Sequence, residues 1–319
     1  MTLSVALCTY NGERYIREQV ESILNQTMAV DEIVVCDDGS TDSTLHIIEE
    51  YSTASAPQIQ IHRNDNNLGV CSNFQKAINL CHGDVVFLSD QDDIWRSDKV
   101  EQCVNYFLQH ETVSLLFTDA RLIDQNGETI RGLRLWETVG MTEQAQHHLD
   151  SGFGVELFAY ANRATGATMA MRRTFQYAQS FIKYCNQYIL HDYALSMLAL
   201  SNNQLGYIPE TLIDYRIHDN QQVGVGDYLD TPLTDSINRA NYYTVCLGEL
   251  NFPEPIGSRI NFITQRYRHQ NQVFGLIRII ASAHTYRVVY GFRAMTIVKS
   301  DITHWCKSMW QRAFHRKTK

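Results

Sequence analysis

The chain has 319 residues, 44% hydrophobic and 19% charged, with a formal net charge of -8. That composition is of a soluble globular protein, long enough for one large domain or a domain plus an extension. The acidic balance argues against a general nucleic-acid binder, and no run of about 18 apolar residues predicts a transmembrane helix.

Leu3 to Cys8 reads as the first strand; it is too short, and wrongly flanked, for a signal peptide. After the polar turn Thr9-Tyr10-Asn11-Gly12-Glu13, residues Ile16, Val20, Ile23 and Leu24 recur at helical spacing. Glu32 to Cys36 is the second strand. It runs into Asp37-Asp38-Gly39-Ser40-Thr41-Asp42, where Ser40 or Thr41 is placed to cap a second helix. Ile59 to His62 is the third strand, followed by the Asn/Asp-rich loop Asn64 to Gly69 and a helix carrying Val70, Phe74, Ala77 and Ile78.

Val85 to Ser89 is an apolar run short enough for a strand buried on both faces. It ends in Asp90-Gln91-Asp92-Asp93, three carboxylates within four residues. In extended backbone Asp90 and Asp92 point the same way and can share one cation. Hard oxygen ligands suit Mg²⁺ or Mn²⁺, and such an ion can clamp a diphosphate. The bland alternative is an acidic turn that only ends the strand. Strands alternating with helices predict an α/β fold, a parallel sheet with helices on both faces. Open sheets of this kind keep their ligands at the carboxyl edge. There is no GxGxxG after the first strand, which disfavours an ordinary dinucleotide fold. Tyr10, Asp38 and Asp90/Asp92 instead suit a base, a ribose diol and a metal-bound diphosphate.

Beyond Trp95 the pattern predicts a helix from Asp98 to Gln109, a strand from Ser114 to Thr118 and an Asn-Gly hairpin turn at Asp124-Gln125-Asn126-Gly127. Arg131 to Asp150 has weak periodicity and no predicted element. Gly166 to Met171 reads as a buried strand, Leu190 to Leu200 as a helix entered by His191-Asp192, and Leu212 to Ile217 as a last strand leading into His218.

Cys8-Thr9-Tyr10-Asn11, Asp37 to Asp42, Asp90-Gln91-Asp92-Asp93 and His191-Asp192, in this order and spacing, resemble glycosyltransferase family two. The resemblance covers roughly residues 3 to 220. It implies a GT-A (Rossmann-like) fold, mostly parallel, and inversion at the anomeric carbon. Leu88-Ser89-Asp90-Gln91-Asp92-Asp93-Ile94-Trp95 and Tyr215-Arg216-Ile217-His218 are similar to the bacterial branch of rhamnosyl- and galactosyltransferases for surface polysaccharides. The implied donor is dTDP-rhamnose or a UDP-hexose, and the implied acceptor a saccharide or a lipid-linked one. By the same resemblance Thr9, Tyr10 and Asp38 hold the nucleoside, Asp90 meets the ribose or the metal, Asp92 binds the metal, and Asp192 is the catalytic base.

Several of these residues have a plain structural alternative. Asp192 is either the base or an N-cap. His218 is a further metal ligand, a contact to the diphosphate, or a structural or solvent-exposed histidine. Asn67 and Asn73 either meet the nucleotide or serve turn chemistry. Trp95 either walls the acceptor pocket or packs in the core. Gly166-Ala167-Thr168 either lets backbone approach the acceptor or starts a strand. Asp37 reads as part of its turn. Two other function classes are a metal-dependent nucleotidyltransferase and a non-catalytic nucleotide-sugar-binding subunit. The first expects a Gly-rich basic loop where Thr9 to Glu13 stands; the second expects carboxylates to be lost.

The eight cysteines form no CxxC pair. Cys8, Cys36, Cys71 and Cys81 lie in apolar or helical patterns, where a thiol behaves as a small hydrophobe. That usage predicts a reducing, cytoplasmic setting with neither zinc nor a disulfide framework. Residues 1–220 are expected to form the catalytic domain and 221–319 a helical, basic extension. From Pro255 to Lys319 twelve Lys/Arg stand against one acid, Asp301, a local +11 that leaves -19 for the remainder. Phe274, Ile277 and Ile280, then Trp305, Trp310 and Phe314, interleave with these cations. The extension either docks on the inner face of an anionic membrane or packs on the catalytic domain or a second subunit.

Overall fold

Every residue of β1 (Leu3–Thr9) is buried, so the strand needs partners on both edges and cover on both faces. The partners are β2 (Glu32–Asp37) and β4 (Val85–Ser89), both parallel to it and both buried throughout. β3 (Gln58–Arg63) lies parallel beyond β2. The connections are α1 (Ile16–Leu24), α2 (Thr44–Glu49) and α3 (Val70–Leu80). The order β3-β2-β1-β4 reverses direction at β1/β4, and a crevice opens outside the carboxyl ends of strands at such a reversal. The protein is seen here as a computed structural model describing residues 1–52, 57–159, 161–219, 221, 246–254 and 256–270, with isolated positions between 279 and 309.

The second half of the sheet is mixed rather than parallel. β8 (Ala170–Arg172) inserts antiparallel between β4 and β6 (Leu115–Ile123), β9 (Leu205–Arg216) runs parallel to β6, and β5 (Ile94–Trp95) pairs antiparallel with β9. The hairpin at Asp124–Gly127 forms, with Gly127 at φ 84°, and returns the chain as β7 (Thr129–Arg134) beside β6. The segment without a predicted element holds α5 (Leu135–Thr138) and α6 (Glu143–His148). α7 (Gly154–Ala159) then packs on α8 (His191–Ser201). α5 is held by contacts distant in sequence: the Trp136 N–H groups donate to Asp119 Oδ1 and to the Thr118 carbonyl, both at 3.0 Å.

Two strand expectations change. Gly166–Thr168 is a 3-10 turn, and the strand proper is Ala170–Arg172. β9 begins at Leu205, not Leu212. Its first half was hidden by Gly206 and Pro209; the register slips between Thr118 and Asp119, so Pro209 has no ladder partner to serve. Ser40 and Thr41 do not cap α2. Ser40 turns back on Asp37, and Asp42 accepts the Thr44 N–H at 3.0 Å and the Glu13 N–H at 3.0 Å.

The chain divides into two units, Met1–Ser236 and Ile237–Lys319. In the second, α9 (Ile256–Gln270) carries Arg266, whose guanidinium meets both carboxylate oxygens of the buried Asp301 at 2.5 and 2.6 Å. Phe274, Ile277, Ile280, Trp310 and Phe314, which carry the membrane-or-packing expectation, lie outside the described residues. Among the described residues no helix is long and apolar enough to cross a membrane.

Under the carboxyl edge, α4 (Lys99–Gln109) opens with a lysine that is 0% exposed. Lys99 Nζ donates to the Ala167 carbonyl at 3.0 Å and lies 3.8 Å from the centre of the Trp95 ring. Trp95 packs in the core. Burial pushes Lys99 down to about 8, against the opposing pull of Cys103, Asp93 and Asp90. The unfolded chain holds this proton up to about pH 10.4. Between about pH 8 and 10 the unfolded state thus binds more protons, and this group makes stability rise with pH. Lys99→Met should remove that rise. Urea unfolding at about pH 7.5 and 9.5 should show wild type gaining on the order of 1–2 kcal/mol over the variant; parallel pH dependence would mean Lys99 titrates as it does unfolded.

Candidate active site

Three strand ends supply the site. At the end of β2, Asp38 is 4% exposed, and its carboxylate is nearly filled by its own chain. Oδ1 accepts from Asn64 Nδ2 at 2.8 Å and from the Leu68 N–H at 2.7 Å; Oδ2 accepts the Gly69 N–H at 2.9 Å. Asp38 thus shapes the Asn64–Gly69 loop. Asn73 completes the support, its Nδ2 donating to the Cys36 carbonyl and its Oδ1 accepting from Asn64. It is structural. Asn67 is exposed in that loop and accepts the Gly69 N–H. Asp37 is spent on its turn, taking the Thr9 hydroxyl at 2.9 Å together with the Ser40 N–H and O–H.

At the end of β1, Thr9 is buried and Tyr10 exposed. Between them and the acid loop stands Gln91, to which the sequence reading assigned no role. Its Oε1 accepts the Tyr10 N–H at 2.7 Å and its Nε2 donates to the Tyr10 carbonyl at 3.0 Å. The Tyr10 backbone is thereby tied to the acid loop. Nothing in the sequence distinguishes this glutamine from a spacer between two aspartates.

At the end of β4 the three acids diverge. Asp93 is buried, and its Oδ1 accepts the Arg216 N–H at 3.0 Å. Asp92 Oδ2 lies 2.8 Å from His218 Nε2. Asp90 has no side-chain hydrogen bond among the described residues; burial, then the charges of Asp92 and Asp192, push its carboxyl up to about 7 against His191 and Lys99. Burial with Asp92 and Asp90 also drives Asp93 well above the carboxylate range. Arg216, again missed from sequence, ties the loop to β9. Its Nε donates to the Asp92 carbonyl at 2.7 Å, and its guanidinium reaches Glu18 and lies 4.6 Å from the Tyr15 ring. Tyr15 in turn lies 4.9 Å from the His218 ring.

α8 begins at His191, with Leu190 as its cap residue, so Asp192 sits within the first turn rather than at the N-cap. Its Oδ1 accepts the Tyr193 N–H at 2.7 Å. The helix behind it is buried on all sides, which makes Asp192 the polar end of a rigid rod.

A divalent ion fits this donor set. The acids are hard oxygen ligands, and one of them is already destabilised as a carboxylate by its neighbours' charge. Among the described residues no three His, Cys, Asp or Glu side chains converge tightly enough to hold an ion unaided. Asp90, Asp92 and His218 would therefore share it with phosphate oxygens and water, as Mg²⁺ sites at phosphates commonly do.

The fold and these motifs are found in known proteins. Residues 4–163 match the model of glycosyl transferase family 2. The chain is 31% identical over 229 residues to the dTDP-rhamnosyl transferase RfbG of Shigella flexneri, across 68% of this chain and 73% of that protein. Its structure is similar to S. aureus TarS in complex with UDP-GlcNAc, at a TM-score of 0.56 and 15% identity, over 97% of this chain and 89% of that one. It is also similar to the mannosyltransferase PcManGT of Pyrobaculum calidifontis in complex with GDP-Man and Mn²⁺, at a TM-score of 0.50 and 14% identity, over 97% and 87%. The chain belongs to glycosyl transferase family 2 and has the GT-A fold.

Asp38→Asn tests the loop argument. One amide oxygen cannot replace both carboxylate oxygens, and the new NH₂ faces a donor. The Gly69 N–H keeps Asn67 Oδ1 at 3.1 Å but loses its bond to a charged oxygen, at a cost of about 1–3 kcal/mol. Denaturant unfolding should show that loss, with hydrogen exchange at Leu68 and Gly69 accelerated; unchanged protection there would mean the loop is held by other contacts.

Proposed function

We propose that this glycosyltransferase inverts the anomeric centre of a nucleoside-diphosphate sugar, dTDP-rhamnose or a UDP-hexose, and passes the sugar to a saccharide or lipid-linked acceptor of a surface polysaccharide. One observation carries the reading. Asp192, distant in sequence, stands near enough to Asp90 for its charge to raise that carboxyl. That proximity supports a base and a diphosphate-binding acid pair working on one donor.

Asp192 takes the proton of the acceptor hydroxyl as that oxygen bonds to the anomeric carbon, and the diphosphate departs from the opposite face. A positioned base of this kind contributes on the order of 10²-fold or more. Tyr10 stacks on the base, held square by Gln91. Thr9 and Asn67 line the nucleoside through backbone and loop, since the Thr9 hydroxyl is committed to Asp37. Asp38 supports a pyrimidine: three of its roughly four acceptor sites are filled, which leaves room for one N–H, as uracil or thymine presents, and not for the two donors of guanine. Asp90, Asp92 and His218 hold the divalent ion, Mn²⁺ or Mg²⁺, which when bound neutralises charge on the leaving diphosphate. PcManGT, described with Mn²⁺, supports that assignment, and RfbG supports rhamnose. The basic segment after Pro255 suits work at the cytoplasmic face of a membrane, beside a lipid-linked acceptor, or pairing with a second subunit.

A thermal-shift panel tests the donor and the ion together. With Mn²⁺, dTDP and UDP should raise the melting temperature and GDP should not. Chelator or Asp92→Ala should erase the gain. Equal shifts by all three nucleotides in chelator would sink both assignments. Asp192→Asn should keep the fold and the nucleotide shift while transfer falls on the order of 10²-fold or more. A variant that melts early yet turns over normally per folded molecule would place the base elsewhere.

A further inference from the structure

Behind the base lies a cluster that sugar transfer does not use. Cys71 is the second residue of α3, whose entry is set by Gly69 at φ 80°. Phe74, three residues on, shares its helix face, and the His191 ring stacks on Phe74 with centroids 4.2 Å apart. The imidazole therefore lies along the Cys71 face of α3. It is 5% exposed, and neither ring nitrogen has a hydrogen-bond partner at good geometry among the described residues. Gly166 makes the room, since a Cβ there would stand 2.3 Å from His191 Nε2.

On the other side of Cys71, Gln75 fastens the turn Phe181–Tyr184 to α3. Its Nε2 donates to the Ala178 carbonyl at 2.8 Å and its Oε1 accepts the Ile182 N–H at 3.3 Å. The turn delivers Cys185, whose thiol also lies 3.7 Å from the Phe181 carbonyl, against the Cys71 sulfur. All eight cysteines are unpaired, but these two meet. Contact with Cys185 lowers the Cys71 thiol, burial opposes, and His191 lowers it further, so that it rests well below its ordinary value. The positive end of α3 acts in the same sense. Contact with Cys71, then burial, raises Cys185. Burial lowers His191, but the Cys71 contact and the charges of Asp192, Cys71 and Asp90 outweigh it and leave the ring above its ordinary value.

The geometry points to a redox pair: Cys71 is a reactive thiolate, and Cys185 closes a disulfide with it when the protein meets a hydroperoxide. The Cys71 sulfur attacks one peroxide oxygen and the O–O bond breaks. The sulfur is oxidised to a sulfenic acid, and the departing hydroxide leaves as water with the proton given up by the Cys71 thiol. The Cys185 sulfur then attacks the Cys71 sulfur, the S–O bond breaks, and the second hydroxide leaves as water with the Cys185 proton. Two thiols and one peroxide give one disulfide and two waters, and a small thiol reductant reverses it. Disulfide formation there needs no sugar donor, acceptor or ion.

Full-length wild-type protein, treated with stoichiometric hydrogen peroxide, alkylated and digested without reductant, tests this. The Cys71 and Cys185 peptides should appear joined, lighter by two hydrogens than their sum, and separate after dithiothreitol. The exposed Cys306 should still be alkylated. Both thiols alkylated as before treatment, or Cys71 joined to a different cysteine, would overturn the assignment. In Cys185→Ala, dimedone should trap a sulfenic acid on Cys71; a Cys71 peptide that stays a free thiol there would also overturn it. The wild-type peptide map decides the matter without any variant.

Discussion

The site depends on one buried cation. Arg216, 1% exposed, ends β9 and binds the acid loop twice, its backbone N–H to Asp93 and its Nε to the Asp92 carbonyl, while its guanidinium also reaches Glu18 on α1. A guanidinium can do this because its donors are fixed in a plane and it stays charged when buried. A lysine could satisfy one of those acceptors. With Arg216 in place, Asp92 is turned toward His218, two residues further along the same chain, and Asp93 is turned away from it. Three adjacent acids thereby acquire three different surroundings.

The mixed half of the sheet explains why such a clamp is needed. A doubly wound parallel sheet gathers β1, β2 and β4 ends at one edge by its own connections. Asp192 and His218 come from outside that pattern. The short antiparallel β8 beside β4 and the long β9 beside β6 carry the chain back to the carboxyl edge. The two-residue β5 pairs with β9 at Ile94 and Trp95, directly after the acids. Register there sets the distance between Asp92 and His218, and Arg216 holds it from within.

What was legible in the sequence follows from this division. β1, β2 and β4 announce themselves as apolar runs ending in polar turns, because both faces are covered and each strand is short; β3, only half-buried, shows instead as Ile59 and Ile61 alternating with glutamines. Asp38, Asp90, Asp92 and Asp192 could be named because the order and spacing of their motifs resemble a known family; taken singly, carboxylates at strand and helix ends also serve turns and caps. The residues that escaped notice act through partners far away in sequence. Gln91 matters because Tyr10 lies across the crevice, Arg216 because Asp92 and Asp93 do. Asn64 is indistinguishable from its Asn/Asp-rich neighbours until Asp38 is seen to hold it. The start of β9 was obscured because Gly206 and Pro209 are strand-breakers unless a bulge absorbs them, and a bulge belongs to the partner strand.

The charge at the edge is not balanced by the protein alone. Asp90, Asp92, Asp93 and Asp192 gather there, against Arg216, the buried Lys99 and the histidines. Lys99 is itself weakened as a cation by burial, and Arg216 spends its charge on Glu18. Asp90 is left carrying the imbalance, pushed up to about 7 by burial and its neighbours. A structural acid in such surroundings would be given hydrogen bonds; Asp93 receives the Arg216 N–H, Asp37 is filled by its turn, and Asp38 by its loop. Asp90 receives none among the described residues. On the function proposed above, a cation brought in with a diphosphate would relieve the repulsion that raises Asp90.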